Sequence, residues 1–233
     1  MQMVVLCGGL GTRLRSVVAD RPKSLALVAG KPFLEHLLDY YRRQGATRFL
    51  LATGYLSEQI EATFPDGRFK DASVTVSREP DPLGTGGALR LAKALLEEDF
   101  FVVNGDTWME CRLETLRAFG RTHDLAGVLA LRGVDDVSRY GAVRVDEHGR
   151  IRAFVEKSAQ SGPGNINAGV YWLRRSLIEA MPDGKVSLES HIFPTLLDGR
   201  LGGVSAGDRG RFIDIGIPED FARAQKLLAD LNT

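Results

Sequence analysis

The chain has 233 residues, 44% of them hydrophobic, and 30 Lys+Arg balance 30 Asp+Glu for a formal net charge of zero. That length suits one large α/β domain or two small ones, each with a core of ordinary size. The missing basic excess argues against nucleic acid or an anionic membrane as partner, although a local basic pocket remains compatible with it, and no apolar run reaches the about 18 residues of a membrane span.

Met3 to Leu6 reads as a short apolar strand, and the loop after it is rich in chemistry: Gly8-Gly9-Leu10-Gly11-Thr12-Arg13-Leu14, then Pro22-Lys23. Glycines lacking Cβ let backbone N–H groups close in on an anion. Arg13 adds a forked cation and Lys23 a point charge, so the loop reads as a triphosphate cradle. It is neither of the two commoner cradles. The dinucleotide fingerprint needs a glycine where Leu14 stands, and a Walker loop needs a glycine where Pro22 stands.

Further along, Pro32 opens a helical pattern carrying Phe33, Leu34, Leu37, Leu38 and Tyr41, which Gly45 ends. Phe49 to Ala52 is an apolar strand, Ser57 a candidate N-cap for a helix through Phe64, and Val74 and Val76 alternate as a strand. Gly87 to Leu96 reads as a helix and Phe100 to Val103 as a strand ending at Asn104-Gly105-Asp106. This alternation predicts an α/β fold with a mixed, mostly parallel sheet covered on both faces. In the second half, strands predominate around Val128–Leu131, Ala142–Val145, Ile151–Val155 and Gly169–Trp172. Helices are expected at Arg175–Met181 and Leu188–Leu197, and from Pro218 to Leu231. With no linker or repeat, residues 1–233 read as one domain, a half over about 1–110 that carries the phosphate cradle preceding a strand-rich half over about 111–233.

Cys7 and Cys111 are far apart and have no metal-ligand spacing, so they read as reduced thiols of a cytoplasmic protein. His36 and His191 fall in helical stretches and pair with no nucleophile. Asp106 and Asp214 each follow an apolar strand, where a carboxylate can hold a hard divalent cation together with phosphate oxygens.

Gly-Gly-x-Gly-Thr-Arg-Leu followed by Pro-Lys resembles the signature of sugar-1-phosphate nucleotidyltransferases, and later motifs extend the resemblance over nearly the whole chain. It implies a Rossmann-like, GT-A-like fold and a Mg²⁺ (or Mn²⁺) ion held by Asp106 and Asp214, with Arg13 and Lys23 catalytic. Leu6, Gly8, Gly9, Gly11, Thr12 and Arg13 would hold the nucleotide, together with Glu79, Gly84 and Thr85 of the segment Glu79–Gly87. Guanine offers two adjacent donors that the Glu79 carboxylate can accept, which favours GTP. The sugar phosphate falls to Asp106, Tyr140-Gly141, Glu156-Lys157 and Asn167, with Gly141 and Gly169 letting the sugar ring lie on backbone. Ile217 stands where many relatives have Thr. Together with Leu14–Val18, Lys31–Glu35 and Phe212–Phe221, it points to the branch acting on D-glycero-α-D-manno-heptose 1-phosphate. The product would be GDP-heptose for a surface polysaccharide such as capsule, made without nucleic acid or membrane as partner and compatible with a homodimer. The rivals are a uridylyl- or thymidylyltransferase, a glycosyltransferase (which has no need of the Arg13/Lys23 loop) and a non-catalytic nucleotide-sensing subunit.

Overall fold

A computed structural model describes residues 1–9, 14, 17–18, 20–157, 159, 161–206 and 210–230. In chain order, β1 (Gln2–Leu6) leads to a tight turn at Lys23–Leu25. The hairpin of β2 (Leu27–Val28) and β3 (Lys31–Pro32) comes next, then α1 (Phe33–Arg43), β4 (Arg48–Thr53) and α2 (Ser57–Thr63). β5 (Arg68–Phe69), β6 (Ala72–Arg78), α3 (Gly84–Leu91), β7 (Asp99–Asn104), β8 (Thr107–Met109) and α4 (Leu113–Thr122) follow. The second half contains β9 (Gly127–Val134), β10 (Ala142–Val145), β11 (Ile151–Val155), β12 (Gly164–Arg174), α5 (Arg175–Glu179), β13 (Leu201–Ser205), β14 (Phe212–Asp214) and α6 (Pro218–Ala229).

Eight strands form the main sheet in the order β13-β9-β12-β7-β1-β4-β6-β5. β1 runs parallel to β4 and β7, as do β4 to β6 and β9 to β13. β12 is antiparallel to both of its neighbours. The two-residue period of the strands divides their side chains between two cores. Met3, Val5, Phe49, Leu51, Phe101, Val103, Val128 and Trp172 point to one face, where α1, α4 and α6 cover them. Val4, Leu50, Phe100, Val102, Leu129 and Tyr171 point to the other, packed with residues of α3, α5 and the 188–196 turns. Burial on both faces explains why these strands read as continuous apolar runs.

Several boundaries differ from the expectation. Ser57 is the first residue of α2 and Leu56 its cap, at φ 57°; the Ser57 hydroxyl reaches Thr53 and Glu61 instead of capping. α3 begins three residues before Gly87, because Gly84, at φ +75°, turns the chain into it. The helix expected at 188–197 is a wide turn followed by a 3₁₀ turn containing Pro194, whose missing N–H removes a helical hydrogen bond.

Candidate active site

From β1 the chain runs outward through β4 and β6, then returns to lay β7 on the other edge of β1. Such a reversal opens a crevice beyond the carboxyl ends of the strands. Here Leu6 stands opposite Asn104, and above them lies a cleft of about 490 Å³. It is lined by Leu6, Gly8, Gly9, Lys23, Glu79, Gly84, Thr85, Asn104, Asp106 and Lys185.

Lys23 starts the turn after Pro22, with its side chain only 13% exposed. Its Nζ donates to Asp106 Oδ2 at 2.5 Å and lies 3.9 Å from Asp214 Oδ1. Asp106 follows β7, and its carbonyl accepts the Ile215 N–H at 2.9 Å, which brings the end of β14 alongside. β14 is itself anchored by antiparallel pairing with β8. The two carboxylates expected to share a metal are therefore neighbours around one ammonium. The Asp214 carboxylate accepts the Gly216 N–H at 2.7 Å and Asp106 Oδ1 the Thr107 hydroxyl at 3.1 Å, which fixes both in orientation. Among the described residues no cluster of three or more His, Cys, Asp or Glu is present. Two hard oxygen donors on this edge fit a divalent cation that completes its shell with phosphate and water oxygens.

Glu79 follows β6, the strand beside β4, and is buried, 7% exposed. Its Oε2 accepts the Leu83 N–H at 2.7 Å, and its Oε1 lies 2.2 Å from where a Cβ on Gly8 would stand. The carboxylate thus occupies the space that a Cβ on Gly8 would take. Burial raises the Glu79 pKa above 4.5, and the Leu83 hydrogen bond offsets part of that rise.

Gly84 and Thr85 line the cleft, but their immediate contacts are structural. A Cβ on Gly84 would meet the Val186 carbonyl at 2.7 Å. The Thr85 hydroxyl donates to Glu189 at 2.7 Å and accepts the Leu188 N–H at 2.8 Å. Similarly, the Cβ space at Gly141 is taken by the Val155 carbonyl and at Gly169 by the Asn104 amide, so packing accounts for both glycines.

Among the sugar-phosphate candidates, Tyr140-Gly141 and Glu156-Lys157 come together where β10 pairs with β11. Asn167 donates to Tyr171 Oη at 3.0 Å and accepts the Gly169 N–H at 2.9 Å. Tyr140 packs edge-on against Phe212, beneath the Arg139 guanidinium. Glu156 and Lys157 are exposed at the end of β11, outside the described lining of the cleft. Gly11, Thr12 and Arg13 lie outside the described residues. Sequence reasoning missed Asn104 and Lys185 as lining residues. Asn104 was visible in Asn-Gly-Asp at a strand end. Lys185 gave no local signal, since it reaches the cleft only because Val186 bonds back to Leu83 at 2.8 Å.

The sequence model of the nucleotidyl transferase family matches residues 2–230. D-glycero-α-D-manno-heptose 1-phosphate guanylyltransferase of Aneurinibacillus thermoaerophilus is 39% identical, with 98% of each chain covered. The Campylobacter jejuni enzyme of the same name is 36% identical, covering 95% of this chain and 97% of its own. Among solved structures, HddC from Yersinia pseudotuberculosis complexed with GMP-PN superposes with a TM-score of 0.83 at 36% identity, over 97% of this chain and 99% of that one. The chain belongs to the nucleotidyl transferase family, and it is an enzyme of that kind.

Proposed function

We propose that the protein transfers guanylyl from GTP to D-glycero-α-D-manno-heptose 1-phosphate, giving GDP-heptose and pyrophosphate for a bacterial surface polysaccharide. The observation that carries this reading is Lys23 held between Asp106 and Asp214 at the strand-order reversal. Full-length similarity to two guanylyltransferases that act on that sugar supports the choice of substrates. On this reading residues 1–233 work as one domain, the half before about 110 binding GTP and the rest the sugar phosphate, in the cytoplasm.

A phosphate oxygen of the sugar 1-phosphate attacks the α-phosphorus of GTP, a new P–O bond forms, and the α–β bridging bond breaks to release pyrophosphate. The nucleophile is already anionic near neutral pH, so no strong base is needed. What must be overcome is repulsion between two anions. Lys23 places one cation on the reacting phosphates and Arg13 supplies a second from the glycine loop; Lys157 neutralises the sugar phosphate. Asp106 and Asp214 would hold Mg²⁺ or Mn²⁺, which when bound supplies further charge neutralisation at the transferred group. Glu79 accepts the guanine N–H donors, while Asn167, Tyr140 and Glu156 bind the sugar.

A pyrophosphate-release assay crossing the four common NTPs with heptose, mannose, glucose and N-acetylhexosamine 1-phosphates tests the proposal. GTP with the heptose phosphate should give the highest kcat/KM. A higher value with UTP or dTTP would overturn the base assignment, and a higher value with another sugar the substrate assignment.

A further inference from the structure

Resting on that reading, we infer that Glu189 is a positioning residue that joins Thr85, a nucleotide-binding candidate, to Asn167, a sugar-phosphate candidate. It sits on the wide turn Leu188–Ile192 and receives three hydroxyl groups. Thr85 Oγ1 lies 2.7 Å and Ser187 Oγ 2.9 Å from Glu189 Oε2, and Tyr171 Oη lies 3.2 Å from Oε1.

An ionised carboxylate only accepts, so each hydroxyl must donate its single proton to it. Each is then left with lone pairs alone, and each meets an N–H. Thr85 Oγ1 accepts from Leu188 N at 2.8 Å, Ser187 Oγ from Ser190 N at 3.2 Å and Tyr171 Oη from Asn167 Nδ2 at 3.0 Å. One charge therefore sets the direction of every bond in the network. Through the fully buried Tyr171 it also orients the Asn167 amide, whose oxygen turns to the Gly169 N–H.

Thr85 lies in the first turn of α3 and lines the cleft, and Asn167 lies on β12 among the sugar-phosphate candidates. These elements come from distant parts of the chain, and Glu189 bonds to both sides at once. A neutral amide of the same shape would keep one acceptor but aim an N–H at hydroxyls that already face other donors. Glu189→Gln is therefore expected to disturb both sides with little change in packing.

The experiment measures kcat and both KM values for the wild type, Glu189→Gln, Thr85→Val, Tyr171→Phe and the Thr85→Val/Tyr171→Phe double variant, with unfolding temperatures alongside. Glu189→Gln should lower kcat/KM for both substrates roughly ten- to a hundredfold, the loss expected for hydrogen bonds to a charged group. Both KM values should rise while the protein stays folded at the assay temperature. Thr85→Val should act mainly on the nucleotide KM and Tyr171→Phe mainly on that of the sugar phosphate. Their double variant should lose less than the product of the single losses, since the second change breaks a network already broken. Unchanged KM values in folded Glu189→Gln, an effect on one substrate only, or multiplicative single losses would overturn the inference. If Glu189→Gln fails to fold, the two single variants and their double decide. A wild type inactive with every substrate pair would overturn the proposed function as well, which separates the two failures.

Discussion

At Lys23, a single ammonium has two carboxylates within 4 Å and a side chain largely shielded from water. Its removal leaves Asp106 and Asp214 facing each other without that counter-charge and, on the proposed function, deprives the reacting phosphates of a preorganised cation. Lys23→Ala should reduce kcat by about a hundredfold or more, the scale of one lost electrostatic contact at a reacting group. Steady-state kinetics on protein verified as folded by circular dichroism measures this, and near-normal turnover would remove Lys23 from the chemistry.

Glu79 gives a pH-dependent counterpart. Because burial raises its pKa above 4.5 in the folded chain, the folded state holds this proton more tightly than the unfolded one. Stability contributed by Glu79 is present at lower pH and declines as pH rises through the window from 4.5 up to the raised value. On the proposed function guanine donors are accepted by the Glu79 carboxylate, so GTP affinity should rise across the same window. In Glu79→Gln both trends should flatten, and the preference for GTP over UTP should drop roughly ten- to a hundredfold. Urea unfolding and KM measured across that pH range check both trends. Cys7, by contrast, is inert: burial pushes its thiol up to about 12, and Cys111 likewise. Iodoacetamide should label neither in native protein and both after unfolding.

Among the elements, α4 offers a test in which helix propensity and packing oppose each other. Gly120 lies inside this helix, where alanine is ordinarily the better residue by roughly 0.5–1 kcal/mol. Yet a Cβ there would come within 2.2 Å of the buried Trp172 ring. Overpacking costs about 1–3 kcal/mol, so Gly120→Ala should lower stability in denaturant unfolding. A stabilised variant would mean that Trp172 shifts without strain. α4 also shows where sequence reading stopped. Its pattern Leu113, Leu116, Phe119 is brief and broken by this glycine, so it did not register as a helix, whereas α1, with five apolar residues on one face, did. The strands β1, β4 and β7 were legible because burial on both faces makes them uniformly apolar. β8 was not, being three residues and defined only by its pairing; of β14 the sequence showed the apolar stretch before Asp214 but not its partner. The same distinction holds in the site. The glycine loop, Glu79, Asp106 and Asp214 stood out through local context, but the approach of Asp214 to Lys23 depends on β14 folding back to β8, which no local signal records.

On the scale of the whole molecule, the two halves meet in one cleft, and the divalent ion assigned to Asp106 and Asp214 should be needed by both. EDTA should abolish turnover and added Mg²⁺ or Mn²⁺ restore it. Full activity in chelator would sink the assignment. The Lys23 contacts have a further consequence, which concerns the order in which the protein is made. Lys23 reaches across 83 positions to Asp106 and much farther to Asp214, and β12, from the second half, completes the sheet beside β7. Pairings this distant in sequence close late in folding. On the ribosome, β1, β4 and β6 can associate while the chain is still growing, but the charged centre cannot exist until β14 has emerged. A nascent chain thus carries Lys23 and Asp106 without Asp214, and the charged centre is complete only with the last strand.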